Sequence, residues 1–172
     1  MSRRWAILPL LLLVAAIVLF AGYALRHDPH VTPDAMVGRA TPDVSLSPLG
    51  GGAPVRLRDV AQGPVLINFF ASWCAPCAQE APQLMALRAQ GVRVIGIAYK
   101  DDPVASRAFL ARLGNPFSQV LIDRNGDVGV EFGVSGVPET YLIGPDGLIL
   151  AKHSGPLTAA DSEALLALAA PR

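Results

Sequence analysis

Cysteine is almost absent from this chain: Cys74 and Cys77 are the only two among 172 residues. A disulfide framework spread across the fold is therefore excluded, and no third thiol competes if these two pair with each other. An excess of one charge is missing too. Fourteen basic residues balance fourteen acidic ones, and no basic run occurs, which argues against a nucleic-acid partner. Histidine is scarce. His27 and His30 fall in a stretch without periodicity and His153 ends a predicted strand, so a structural zinc site would lack its further ligands. No cysteine follows the N-terminal apolar run, which excludes a lipidated N-terminal cysteine. There is no internal repeat and no sign of a second globular domain.

What the chain does have is a long apolar start. From Trp5 to Leu25 no residue carries a charge. About 21 residues make roughly 31 Å of helix, enough for a bilayer's hydrocarbon core. Arg3 and Arg4 precede the run, so the positive-inside rule keeps residues 1–4 in the cytoplasm and exports the rest. A cleaved signal is the competing reading, with Gly22-Tyr23-Ala24 as a tolerable cleavage site. The run is longer than the roughly 7–15 apolar residues of such signals, which favours a retained anchor. The expected division is anchor 5–25, linker 26–36 and folded domain 37–172.

In the domain, residues 38–63 read as short strands and turns, with apolar alternation at 44–46 and 55–57. Residues 65–70 and 92–98 are nearly continuous apolar runs, the mark of strands buried on both faces. Helices are expected over 78–90, with Pro82 kinking or breaking it, and over 104–113, closed by Gly114. A strand at 120–123, a turn at Asn125-Gly126 and a short helix over 127–133 follow. Residues 140–143 and 148–152 flank Gly144-Pro145-Asp146-Gly147 as a hairpin. Thr158 caps a terminal helix ending near Ala169. This order implies an α/β protein, a mixed central sheet covered by helices on both faces.

The cysteines occur as Trp73-Cys74-Ala75-Pro76-Cys77, where a buried strand gives way to a helix. Unpaired N–H groups and the helix dipole favour a thiolate at the first position, and the thiolate attacks disulfides. The loop between the cysteines is too short to brace a fold well. An inert buried pair is the bland alternative. The spacing and an oxidising compartment favour redox chemistry, with Cys74 attacking and Cys77 resolving. Pro76 suits the first turn of a helix, and Trp73 on composition alone is as well read as core.

Residues 68–77, Asn-Phe-Phe-Ala-Ser-Trp-Cys-Ala-Pro-Cys, followed by Glu80-Ala81-Pro82, resemble the membrane-anchored thioredoxin-like proteins. Tyr99-Lys100-Asp101-Asp102, Gly114-Asn115-Pro116-Phe117 and Gly133-Val134-Ser135-Gly136-Val137-Pro138-Glu139-Thr140 resemble one branch of these, the CcmG/DsbE family of cytochrome c maturation. The resemblance covers residues 37–170. It implies a thioredoxin-like fold and an anchored periplasmic reductant that needs no organic cofactor. It also implies a membrane thiol-electron transporter as donor and apocytochrome c, or a maturation protein bearing thiols, as client. By the same resemblance Val137-Pro138 is cis and lies against the cysteines, so that Trp73, Pro76, Val137 and Pro138 meet the substrate.

Glu80 and Glu139 read, from sequence alone, as solvated surface carboxylates. The resemblance instead sets acidic groups near the cysteines, where one could relay the proton Cys77 must lose. Asn68 stands six residues before Cys74, where thioredoxins carry a buried aspartate. Asn68 does not titrate, so Glu80 or Glu139 is the candidate replacement. Lys100, Asp101 and Asp102 are expected to end a strand and open a loop near the site. Three other functions compete: a general periplasmic reductant of another pathway, a peroxiredoxin and a copper metallochaperone. Ala71 occupies the position where peroxiredoxins usually carry threonine, three residues before the cysteine. Copper carriers typically use a longer Cys-x-x-x-Cys spacing with a distant histidine, for which only His153 is a candidate.

Overall fold

Residues 8–26 and 35–169 are described by the computed structural model. They belong to two units, residues 1–33 and 34–172. In the first, helix α1 runs over Leu8–Arg26 (19 residues). Its Leu12, Leu13, Ile17, Val18, Leu19 and Phe20 are all exposed. Among the described residues, no helix is long and apolar enough to cross a membrane. The expected cytoplasmic segment 1–4, the first residues of the expected anchor and most of the expected linker lie outside the described residues.

The second unit is built around strand β3 (Val65–Phe70), whose six residues are all buried. A strand covered on both sides has no polar face, which is why its sequence is an unbroken apolar run apart from Asn68. It pairs in parallel with β4 (Val94–Tyr99), which pairs in parallel with β5 (Gln119–Asp123). On its other side β3 pairs antiparallel with β6 (Glu139–Ile143), and β6 with β7 (Ile149–Ser154). Strands β1 (Ser45–Pro48) and β2 (Val55–Arg56) extend the far edge, giving the order β2-β1-β5-β4-β3-β6-β7. The expected mixed sheet is therefore present.

Successive side chains of a strand point to opposite faces, and two cores result. On one face Leu66, Phe70, Val94, Ala98 and Leu142 pack with Leu84 and Leu87 of α3 (Ala75–Ala89), Phe109 of α4 (Pro103–Leu113) and Leu165 of α6 (Ala159–Ala169). On the other, Ile67, Phe69, Ile95, Ile97 and Tyr141 pack with Leu57 of α2 (Leu57–Val60) and with Val128 and Phe132 of α5 (Asp127–Phe132). Phe69 meets the rings of Phe132 and Tyr141 edge-on at 5.2 and 5.7 Å.

Some boundaries differ from expectation for physical reasons. Helix α3 starts at Ala75, three residues early, because the Cys74 sulfur caps it and Pro76 fits its first turn. It runs unbroken past Pro82, whose missing N–H forfeits one intrahelical bond without ending the helix. Asp102 caps α4 by accepting the Val104 and Ala105 N–H groups, and Gly114 terminates it at φ 89°. Thr158 caps α6 reciprocally. Its hydroxyl oxygen accepts the Asp161 N–H, and the Asp161 carboxylate accepts the Thr158 N–H. The one-turn helix α2 lies where the sequence suggested only strands and turns.

Candidate active site

Strand β3 ends at Phe70, and four residues later Cys74 stands at the N-cap of α3 with extended backbone angles. Its sulfur accepts the Cys77 N–H at 3.1 Å. The helix thus directs a backbone donor at the first sulfur, which lowers the cost of negative charge there. Cys74 and Cys77 form a disulfide, with Sγ–Sγ at 2.10 Å and Cα–Cα at 5.3 Å. Both sulfurs are enclosed, while Trp73, Ala75 and Pro76 around them are exposed. Trp73 is 59% exposed, so it is surface and not core.

The Val137–Pro138 bond is cis. The Val137 carbonyl oxygen lies 3.5 Å from Cys74 Sγ. Four of the residues singled out in the sequence, Cys74, Cys77, Val137 and Pro138, are thereby brought to one place from two distant segments.

The two carboxylates are not brought together. Both are 1% exposed, so the reading of either as a solvated surface group is wrong. They lie on opposite faces of the sheet. Glu80, one turn beyond Cys77 on α3, accepts Asn68 Nδ2–H at 2.9 Å and the Leu157 N–H at 3.1 Å. Asn68 and Thr140 are register partners on β3 and β6, and Asn68 Nδ2 also donates to Thr140 Oγ1 at 3.0 Å. Burial penalises the Glu80 carboxylate, the two hydrogen bonds only partly offset this, and its pKa is pushed up to about 7. Asn68, Cys77 and Glu80 line one small cavity with Phe109, Pro116 and Phe117.

Glu139 belongs to the face of Tyr141. It accepts the Ser135 N–H at 3.1 Å, the Ser135 hydroxyl at 2.6 Å and the Tyr141 hydroxyl at 3.0 Å, and it pairs with Lys152 at 3.1 Å. It ties β6 and β7 to the loop that carries Val137.

Asp101 was not singled out by its residue type, yet it is 6% exposed and its carboxylate accepts four hydrogen bonds. These come from the Ser72 N–H and hydroxyl at 2.7 Å each, the Ser106 hydroxyl at 2.7 Å and the Asp102 N–H at 2.9 Å. Beside it Lys100 has φ 47°, and its carbonyl accepts the Trp73 indole N–H at 3.3 Å. The sequence signals for this cluster are the Tyr99-Lys100-Asp101-Asp102 motif and its place at a strand-to-helix junction, neither of which reveals the partners of Asp101. His153 lies on β7 with Nδ1 at 3.8 Å from Asp161.

A mixed sheet with a Cys-x-x-Cys pair capping a helix against a cis-proline loop defines a thiol:disulfide oxidoreductase of the thioredoxin class. Residues 36–168 match the Redoxin family. The chain is 39% identical over 161 residues to the thiol:disulfide interchange protein HelX of Rhodobacter capsulatus, covering 92% of this chain and 90% of that one. It is 39% identical over 163 residues to the thiol:disulfide interchange protein DsbE of Escherichia coli, covering 91% and 88%. A crystal structure of a DsbE-type protein from Chlorobium tepidum superposes with a TM-score of 0.64 at 33% identity, covering 77% of this chain and 94% of that one. The chain belongs to the Redoxin family, in its DsbE/HelX group of thiol:disulfide interchange proteins.

Proposed function

We propose that this protein is a membrane-anchored periplasmic reductant that keeps the haem-binding cysteines of apocytochrome c reduced. The carrying observation is the sulfur of Cys74 at the N-cap of α3, receiving a backbone N–H beside the Val137 carbonyl. In the reduced protein the Cys74 thiolate attacks one sulfur of a client disulfide. The client S–S bond breaks, a mixed disulfide to Cys74 forms, and one client thiolate leaves. Cys77, as thiolate, then attacks Cys74 Sγ. The mixed disulfide breaks, the Cys74–Cys77 disulfide forms, and the client departs with both sulfurs reduced. Two electrons pass from the protein dithiol to the client. A membrane thiol-electron transporter returns them by the reverse exchange.

Cys77 must lose a proton to resolve the intermediate. Glu80 lines the same cavity and titrates near neutrality, which suits an acceptor for that proton. Glu139, bonded to Ser135 and Lys152, acts by holding the loop of Val137 and Pro138. An extended client segment lies against Trp73, Pro76, Val137 and Pro138. Anchoring is supported by the charge-free run Trp5–Leu25 behind Arg3 and Arg4 and by the exposed apolar side chains of α1. The client choice is supported by membership in the DsbE/HelX group and by the Gly133–Thr140 motif.

The test is a trap. A full-length Cys77→Ser variant, offered an oxidised apocytochrome c in detergent or vesicles, is expected to accumulate a mixed disulfide through Cys74 with a haem-site cysteine. Capture of other periplasmic thiol proteins, with apocytochrome c left free, would transfer the assignment to a general reductant. Release of the full chain by alkaline carbonate washing would remove the anchor.

A further inference from the structure

We propose that Asn68 is a positioning residue for the proton step: it holds Glu80 ready to exchange a proton with Cys77 by giving one Nδ2 hydrogen to the carboxylate while the other braces the amide on Thr140. This rests on the reading of Glu80 as the proton acceptor.

Three observations carry it. The first is geometry. Both Nδ2 hydrogens are used, at 2.9 Å to Glu80 Oε1 and 3.0 Å to Thr140 Oγ1. The second is what this orientation leaves undone. Asn68 is wholly buried and, among the described residues, its Oδ1 has no partner, an unfavourable state for a buried amide. Turning the amide over would face Oδ1, an acceptor, toward the acceptor oxygen of Glu80. The Glu80 carboxylate therefore selects the donor-forward orientation, even though it orphans Oδ1, while the Thr140 hydroxyl can serve either orientation.

The third is the scarcity of other help. Around Glu80, α3 contributes Cys77 and Leu84, and α4 contributes Phe109 and Leu110. The 114–117 segment contributes Gly114, Pro116 and Phe117. Among the described residues lining this cavity there is no lysine, arginine or histidine; outside it His153 of β7 is the register partner of Thr140, with Nδ1 3.8 Å from Asp161. Support for the anion comes from the Leu157 N–H and from Asn68. Burial alone would lock the proton on Glu80 at neutral pH. A neutral donor at position 68 draws the carboxyl back to where it can both take and return a proton. It does so without adding the second charge that an aspartate there would bring.

The test titrates Glu80 directly, by carbon-13 NMR of its carboxyl in the oxidised full chain, beside the pH profile of dithiol–disulfide exchange. Asn68→Leu, nearly isosteric, removes the donor. It is expected to raise the Glu80 midpoint by about one pH unit, the size of a hydrogen bond to a charged group. The exchange profile should move with it in the native background and stay still in a Glu80→Gln background. Asn68→Asp keeps the site polar in case leucine is not tolerated. It is expected to split the titration into two steps, the upper one above the native midpoint. An unmoved midpoint in either folded variant overturns the proposal for Asn68 alone. A pH profile unaltered by Glu80→Gln overturns the reading of Glu80 and the proposal with it.

Discussion

Lys152 Nζ stands 3.1 Å from Glu139 Oε2, and the two side chains keep only 6% and 2% of their surface exposed. Register explains the meeting. Lys152 is the partner of Tyr141 across the β6–β7 ladder, and Glu139 is two residues earlier on the same face. Both ends of the pair are further satisfied, Lys152 by the Gly133 carbonyl at 3.3 Å and Glu139 by Ser135 and Tyr141.

Lys152→Met should therefore leave a buried carboxylate without its counter-charge and destabilise the domain by about 3–5 kcal/mol. Combining it with Glu139→Gln should recover a large part of that loss. Urea unfolding of the native protein and the two variants measures both, and equal stabilities for the single and double variants would contradict the pairing.

The cysteines should behave unequally. Cys77→Ser keeps the capped nucleophile and is expected to form a long-lived mixed disulfide with a model disulfide substrate. Cys74→Ser should form none, and each variant should lose catalytic turnover to the buffer rate. Mass spectrometry of non-reduced samples reads the adduct.

Glu80 gives stability a pH slope of known sign. Its folded pKa is about 7 against an ordinary value of 4.5. Between these values the folded state binds more protons than the unfolded, so stability falls as pH rises through the window and levels above it. The full loss is on the order of 3 kcal/mol. Glu80→Gln should flatten this slope, so its advantage over the native protein grows from pH 5 to pH 8. Denaturant midpoints at the two pH values decide it.

Gly96→Ala on β4 should destabilise the fold by about 1–3 kcal/mol through overpacking. A Cβ there would come within 2.7 Å of the Phe117 ring, which is stacked on Phe70 at 4.9 Å, so the ring must shift out of that stack. Phe117→Leu in the same chain should return part of the loss, measured by thermal unfolding.

The central strands are legible in the sequence because burial on both faces writes an unbroken apolar run, and the cap at Thr158 because its residue type is specific. The redox pair is legible from its spacing together with its place at a strand-to-helix turn and the expected oxidising compartment. The state of Glu80 and Glu139 is not. Whether a carboxylate on a helix or strand is solvated depends on which element covers it, here the Leu157 segment and β7. The Lys152 pairing needs the hairpin register, and the one-turn helix at Leu57–Val60 is too short to show a period. Asp101 collects donors from Ser72, twenty-nine positions away, a distance over which local pattern carries no signal.

That aspartate constrains any exchange of the loop it belongs to. Because one carboxylate clasps both the turn ahead of Cys74 and the opening of α4, the nucleophile's approach and the neighbouring 100–106 rim form a single mechanical piece. Replacing that rim without its aspartate would unfasten the reactive turn. A replacement rim that keeps Ser72, Asp101 and Ser106 together would instead leave the turn ahead of Cys74 fastened.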